Sequence, residues 1–288
     1  MVRPASFQII ATIAALCASL CAPALAANRV VSLDYCADQY VLKFVPRANI
    51  VALSPDATRP FSFMRAEAAG LPSVKPIAED LLLTRPDTVV RSYGGGAGIN
   101  QFLTRFDIDV VDIGYAMNLA DIQHTILETS AALGQAQKGK TVVRDMAAQL
   151  ARIAAKRPSN NNLKALYMTP TGYTAGPGTI IDELMLTAGL ANFHAQPGWH
   201  PLPLERLIYA APEVTVQALF DTVTNYASAW SAMSHPVAER ARTIAISVPI
   251  QGAWTSCGGW FVTKAVAAMS EVLTTPGADQ PVVPNHDQ

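Results

Sequence analysis

The apolar and polar positions of this chain fall into two halves with the same rhythm. Residues 29–33 form a short apolar strand, 34–44 a polar step followed by a helical pattern, and 50–54 a second strand. Residues 79–83 read as a short helix and 88–93 as a third strand. The glycine run 94–98 turns the chain into a helix over 99–106, and 109–113 is a fourth strand. Short strands separated by helices imply a mostly parallel sheet with helices on both faces.

Asn118 opens the next helix, with Asp121 placed as its reciprocal cap. Leu119, Ile122, Ile126 and Leu133 mark its apolar face, and residues 134–139 interrupt it. A second helix over 140–157 carries Val143, Met146, Ala147, Leu150, Ile153 and Ala154 at helical spacing. It is about 25–30 Å long, roughly the diameter of a lobe, which suits a connector. The rhythm then restarts. It gives a strand at 164–168, a helix capped by Thr179 and Asp182 and ended by Gly189, a short helix at 205–209 and strands at 214–219 and 243–247. A closing helix at 259–273 completes it.

One block occurs twice. Glu79 begins an apolar turn that leads to Pro86, Asp87 and a β-branched strand, and Glu205 does the same before Pro212, Glu213 and a second such strand. The expected fold is therefore α/β, with two Rossmann-like lobes, mainly parallel sheets and a cleft between the lobes. The N-terminal lobe is expected over 27–136, the connecting helix over 137–158 and the C-terminal lobe over 159–288.

The first 26 residues read as a signal peptide. Arg3 is the positive end, residues 7–20 are apolar and uncharged, and Ala24-Leu25-Ala26 offers small residues for cleavage after Ala26. Leu16 and Leu20 before Cys17 and Cys21 disfavour a lipoprotein. The mature chain is expected to be exported and soluble.

The net charge of −1, with no run of Lys or Arg, argues against a nucleic-acid binder. Half of the residues are apolar, enough for two cores. Only Cys36 and Cys257 follow the cleavage site. In an oxidising compartment they form either one disulfide or two independent small core residues.

Several motifs change little. Residues 134–141 fit the P-loop pattern, but an amphipathic helix precedes them where a buried strand is needed, so they read as a helix–helix break. Residues 94–98 sit where a phosphate cradle would, yet a plain tight turn explains them better, and they remain a candidate cleft edge. His124, His194, His200, His235 and His286 have no metal-like spacing, and no nucleophile–base pair stands out.

Aromatic placement says more. Tyr35, Tyr93, Tyr115, Tyr173 and Trp254 each follow a strand, and Trp199 lies in a loop. Each alone suits a core cap; together they suit a pocket for a large, flat or apolar-rimmed ligand. Glu79 and Glu205 each start a short helix, where the dipole favours an acid. Their equivalence between lobes suits a partner with two basic sockets.

The chain resembles the periplasmic substrate-binding proteins of ABC importers, in the class with one long inter-lobe helix that includes cobalamin, haem and iron-siderophore binders. The resemblance covers nearly all of 29–273. It rests on Arg29-Val30-Val31-Ser32-Leu33, the 81–90 block, Gly176-Pro177-Gly178 and the 204–216 block; residues 221–234 depart from the pattern. The resemblance implies that Glu79 and Glu205 dock on arginines of the importer's membrane subunits. It also implies a periplasmic monomer without catalysis or resident cofactor, which captures a metal chelate and delivers it to the importer. The His-rich site of the zinc and manganese branch is missing. A corrinoid would stack on the Tyr and Trp faces, a ferric siderophore would add Arg59 or Arg91, and haem would take a Tyr oxygen as axial ligand. A secreted two-lobed enzyme and a ligand-sensing partner of a membrane receptor are the alternatives.

Overall fold

The computed structural model describes residues 28–157, 162–220 and 231–273. The signal segment and its cleavage site, the turn after the connecting helix, most of 221–234 and the C-terminal tail lie outside the described residues.

In chain order the N-terminal lobe runs β1 (Val30–Ser32), α1 (Tyr35–Phe44), β2 (Ile50–Ala52), α2 (Arg65–Ala68), α3 (Ala78–Thr84), β3 (Thr88–Arg91), α4 (Ile99–Thr104), β4 (Asp109–Asp112) and α5 (Leu119–Ala132). The long helix α6 (Ala136–Ala155) follows. The C-terminal lobe runs β5 (Lys164–Met168), β6 (Tyr173–Ala175), α7 (Ile180–Ala188), β7 (Ala191–Asn192), β8 (Trp199–Pro201), α8 (Leu204–Tyr209), β9 (Val214–Leu219), α9 (Pro236–Ile244), β10 (Ile246–Gln251) and α10 (Val262–Glu271).

Two parallel sheets carry the lobes, in the orders β2-β1-β3-β4 and β10-β9-β5-β7. These are one topology: each lobe starts at an inner strand, places its second strand on one side and its next two on the other. The carboxyl ends of the first strands, β1 and β5, lie at the switch points, where open α/β sheets hold ligands. A two-stranded antiparallel ribbon, β6 with β8, is added to the C-terminal lobe.

The duplicated block performs the same local task in both lobes. The Asp87 carboxylate accepts from the Arg29 N–H at 2.8 Å, and the Asp87 N–H returns a bond to the Arg29 carbonyl. Glu213 and Lys164 repeat both bonds. Each acid thereby ties the end of the short helix to the first residues of the lobe's inner strand. Arg29 also caps α3, donating to the carbonyls of Thr84 and Arg85.

One apolar core spans both lobes. Tyr40, Val41 and Phe44 of α1, Ile122 and Ile126 of α5, Leu184 and Met185 of α7 and Val262, Val266 and Met269 of α10 belong to it. Two smaller clusters lie on the outer faces of the sheets. Across the lobes Phe63 stacks on Phe261 at 4.5 Å, Tyr40 Oη donates to the Gly258 carbonyl at 2.8 Å, and Leu119 N–H donates to Glu183 Oε2 at 2.7 Å. Cys36 and Cys257 are joined in a disulfide with α-carbons 5.5 Å apart. The two-thiol alternative is set aside.

Two boundaries differ from the sequence pattern. The long helix begins at Ala136, inside the stretch read as a break. Gly139 is buried in it, and a β-carbon there would stand 1.8 Å from Ser130 Oγ. This glycine lets α5 and α6 cross closely; it does not open a phosphate loop. The strand expected at 243–247 is β10, displaced toward the C-terminus by α9. Pro249 within β10 is tolerated because β10 is the edge of its sheet.

Candidate functional site

Asp34 organises the N-terminal side of the site. Its Oδ1 accepts from the Ala37 N–H at 2.9 Å and so caps α1. Its Oδ2 accepts from the N–H groups of Ser92, Tyr93 and Gly94 at 2.7, 3.0 and 2.9 Å. The start of the glycine run is thus an anion nest already filled by the chain's own carboxylate. Gly94 is required there, since a β-carbon would meet the Leu33 carbonyl oxygen at 2.4 Å. The consequence is positional: Tyr35 and Tyr93, on either side of the carboxylate, are fixed beside each other with rings 6.0 Å apart.

These two tyrosines open onto a cavity of about 210 Å³ between the lobes. The N-terminal lobe contributes Tyr35, Tyr93, Tyr115 and Met117. The C-terminal lobe contributes Thr179 and Ile180 at the start of α7, Trp199 of β8, and Thr255 and Ser256 after β10. The Cys36–Cys257 disulfide forms part of the wall. Trp199 is held edge-on against Tyr167 at 6.0 Å while about half of its surface stays exposed. Tyr115, at 81 % exposure, presents nearly its whole ring to the opening.

Burial pushes the Tyr35 phenol above its ordinary range, and Tyr115, Asp34 and Asp56 add to the rise. Tyr93 is raised in the same way, by burial first and then by Tyr35 and Asp34. Both phenols are neutral, and each can donate a hydrogen bond or yield its proton to a strong Lewis acid. Deeper, Asp38 of α1 is fully buried and accepts from Ser54 N–H at 3.0 Å, from Ser54 Oγ at 2.6 Å and from Ser32 Oγ. Desolvation lifts its carboxyl to about 7. This cluster links the ends of β1 and β2 under the site.

Four of the aromatic candidates, Tyr35, Tyr93, Tyr115 and Trp199, meet on the cavity. The other candidates are placed elsewhere. Tyr173 is a half-exposed residue of β6 opposite Pro201, outside the cavity wall. Trp254 is partly buried and packs against the shared core. Arg59 is exposed and pairs with Asp56 at 3.8 Å. Arg91 lines a separate, open hollow along the glycine run, where it donates to Asn100 Oδ1 at 2.7 Å and faces Asp112 at 3.9 Å. Glu79 and Glu205 are exposed in the first turns of α3 and α8, one in each lobe.

Sequence reasoning missed Met117, Thr179 and Ser256 as wall residues. The N-cap of α7 was a readable signal for Thr179, because a helix opening just beyond a strand points its first turn at the cleft. Met117 and Ser256 lie in irregular segments that carry no periodic signal.

The family described as Periplasmic binding protein matches residues 30–218. No curated protein matches the chain. Among solved structures, the periplasmic heme-binding protein RhuT from Roseiflexus sp. RS-1 superposes with a TM-score of 0.69 at 19% identity, covering 86% of this chain and 98% of that one. A periplasmic heme-binding protein from Pseudomonas aeruginosa gives 0.68 at 21% identity, covering 86% and 92%. The periplasmic vitamin B12 binding protein BtuF of Vibrio cholerae gives 0.62 at 17% identity, covering 85% and 96%. At these identities the likeness is one of fold.

Proposed function

The chain belongs to the periplasmic binding protein family, and on that premise we propose that it is an exported monomer that captures a metal chelate between its lobes and hands it to an ABC importer. The observation that carries this reading is the convergence of Tyr35, Tyr93, Tyr115 and Trp199 on one inter-lobe cavity. Aromatic faces from both lobes suit a large flat ligand, and exposed carboxylates at Glu79 and Glu205 suit basic sockets on the membrane subunits.

The wall of that cavity has no guanidinium, ammonium or imidazole among its described residues. A compact, highly anionic ferric siderophore would need such groups, so the lining favours a tetrapyrrole chelate. Of the two tetrapyrroles, haem has the more specific support. The phenols of Tyr35, Tyr93 and Tyr115 around one space offer an oxygen ligand to ferric iron, and structural neighbours of this fold are heme-binding proteins. Because Tyr35 and Tyr93 are neutral phenols, a ligating oxygen must release its proton on binding. Affinity for ferric haem then rises with pH.

Titration of the purified mature chain with hemin and with cyanocobalamin, followed by absorbance, tests the reading. Saturable one-to-one binding of hemin that strengthens with pH, and that a Tyr93→Phe or Tyr35→Phe change weakens, is expected. Tight binding of cyanocobalamin alone would move the assignment to a corrinoid. Binding of neither would overturn the tetrapyrrole assignment.

A further inference from the structure

The helices that carry Glu79 and Glu205 share more than the carboxylate. Four residues after Glu79 stands Leu83, 82 % exposed; four after Glu205 stands Tyr209, 88 % exposed. Residues at i and i+4 lie one above the other on a helix, so each carboxylate and its apolar neighbour share one outward face. The inward face is equally matched: Leu81 and Leu207 are both buried. Ile208, 57 % exposed, widens the apolar surface on α8.

A single exposed leucine or tyrosine means little. Here the same pair, an acid and a large apolar side chain one turn later, recurs at equivalent places in the two lobes. The scaffold beneath is also the same, since Asp87 and Glu213 anchor the two blocks by the same pair of bonds. Neither glutamate makes an ion pair among the described residues. Arg206 does not share the face of Glu205; its guanidinium lies over the Phe193 ring at 4.2 Å.

We infer that Leu83 and Tyr209 are apolar anchors of the docking surface, and that the partner is the importer's membrane-subunit pair, presenting two matching sockets, each a basic group beside an apolar hollow. This rests on the docking role proposed for the two glutamates. The division of labour follows from the physics. The carboxylates steer encounter and lose influence as salt rises, whereas the buried anchors slow dissociation and are indifferent to salt. Aromatic and large apolar groups at the centre of a contact are the residues whose truncation costs most.

The test measures binding of the mature chain to detergent-purified importer membrane subunits of the same organism at low and at moderate salt. Leu83→Ser with Tyr209→Ser is compared with Glu79→Lys with Glu205→Lys. The serine pair is expected to weaken binding by about tenfold or more, through faster dissociation and by the same factor at both salt concentrations. The lysine pair is expected to abolish binding at low salt. Leu83→Met with Tyr209→Phe should retain nearly full affinity. Unchanged melting temperature is expected throughout, because the four side chains are exposed. Normal binding by the serine pair with loss in the lysine pair would reject the anchors and leave the docking role standing. Normal binding by both would reject the docking role itself. A concentration-dependent dimer of the free chain that the serine pair abolishes, with importer binding unchanged, would assign the patches to a second copy and overturn the inference.

Discussion

The carboxylate of Asp34 holds the backbone N–H of Tyr93 at 3.0 Å, and in doing so fills the mouth of the glycine run with the chain's own negative charge. A sequence feature that suggested an external anion is satisfied from within. The same bond fixes where two of the cavity phenols stand.

Replacement of Asp34 by Ala should therefore act on both stability and ligand. It strips an N-cap and leaves the N–H groups of Ser92, Tyr93 and Gly94 without their acceptor. Hydrogen bonds to a charged acceptor contribute about 1.5–3 kcal/mol each and are not additive, so a total loss of about 3 kcal/mol is expected. Chemical denaturation measures it. A loss below about 0.5 kcal/mol would show that the nest is held by the backbone alone.

Asp38 makes stability depend on pH. Its folded carboxyl titrates near 7 because burial disfavours the anion, against an ordinary value of 3.8 when exposed in the unfolded chain. Between these values the folded state holds more protons than the unfolded one. Stability contributed by this group is full below the lower value and is lost as pH rises toward 7. The loss is of order 2–4 kcal/mol across that window. In Asp38→Asn the amide cannot ionise, so the difference in unfolding free energy between variant and parent should shift in the variant's favour from pH 4 to 7. A pH-independent difference would contradict the assignment.

The Cys36–Cys257 bond closes a separation of 221 residues and joins α1 to the segment before α10. Chain-entropy reasoning gives about 2–5 kcal/mol for such a bridge. Thiol counting on denatured, unreduced protein should find none free in the mature chain. The double Ser variant should melt earlier and expose the inter-lobe core more readily to hydrogen exchange. Two free thiols per mature chain would refute the bridge.

The cavity residues should separate from the other aromatics by function. Trp199→Ala should weaken chelate binding by about 1–3 kcal/mol with little effect on folding, since half of the ring is already exposed. Trp254→Ala should do the reverse, because that ring packs against the core. Matched hemin titrations and thermal melts on the two variants distinguish these outcomes. Equal loss of binding in both would place Trp254 at the ligand.

Much of this architecture is legible in the sequence. The two lobes followed from the Glu79 and Glu205 blocks, because a repeated pattern demands a repeated scaffold. Tyr35, Tyr93 and Tyr115 follow strands of one sheet, and parallel strands end at one edge, so their place on the cavity is readable from the strand pattern. Tyr173 and Trp254 also follow strands, but β6 belongs to a separate ribbon and Trp254 turns into the core; neither fact has a periodic signature. Arg59 and Arg91, the cations a ferric siderophore would use, each have a carboxylate within 4 Å, a pairing that residue type alone does not announce. Gly139 read as a break because glycine is a poor helix former. Only the approach of Ser130, a tertiary contact, explains its place inside the long helix.

If the inter-lobe cavity holds a metal chelate in life, the protein retains that chelate when it is isolated. The most direct measurement is the absorption spectrum and metal content of the protein isolated, without added ligand, from its native periplasm. A coloured protein is expected, with the intense bands of an iron porphyrin or a corrinoid and up to one equivalent of iron or cobalt. A colourless protein carrying a metal-free small molecule in the cavity would contradict chelate binding.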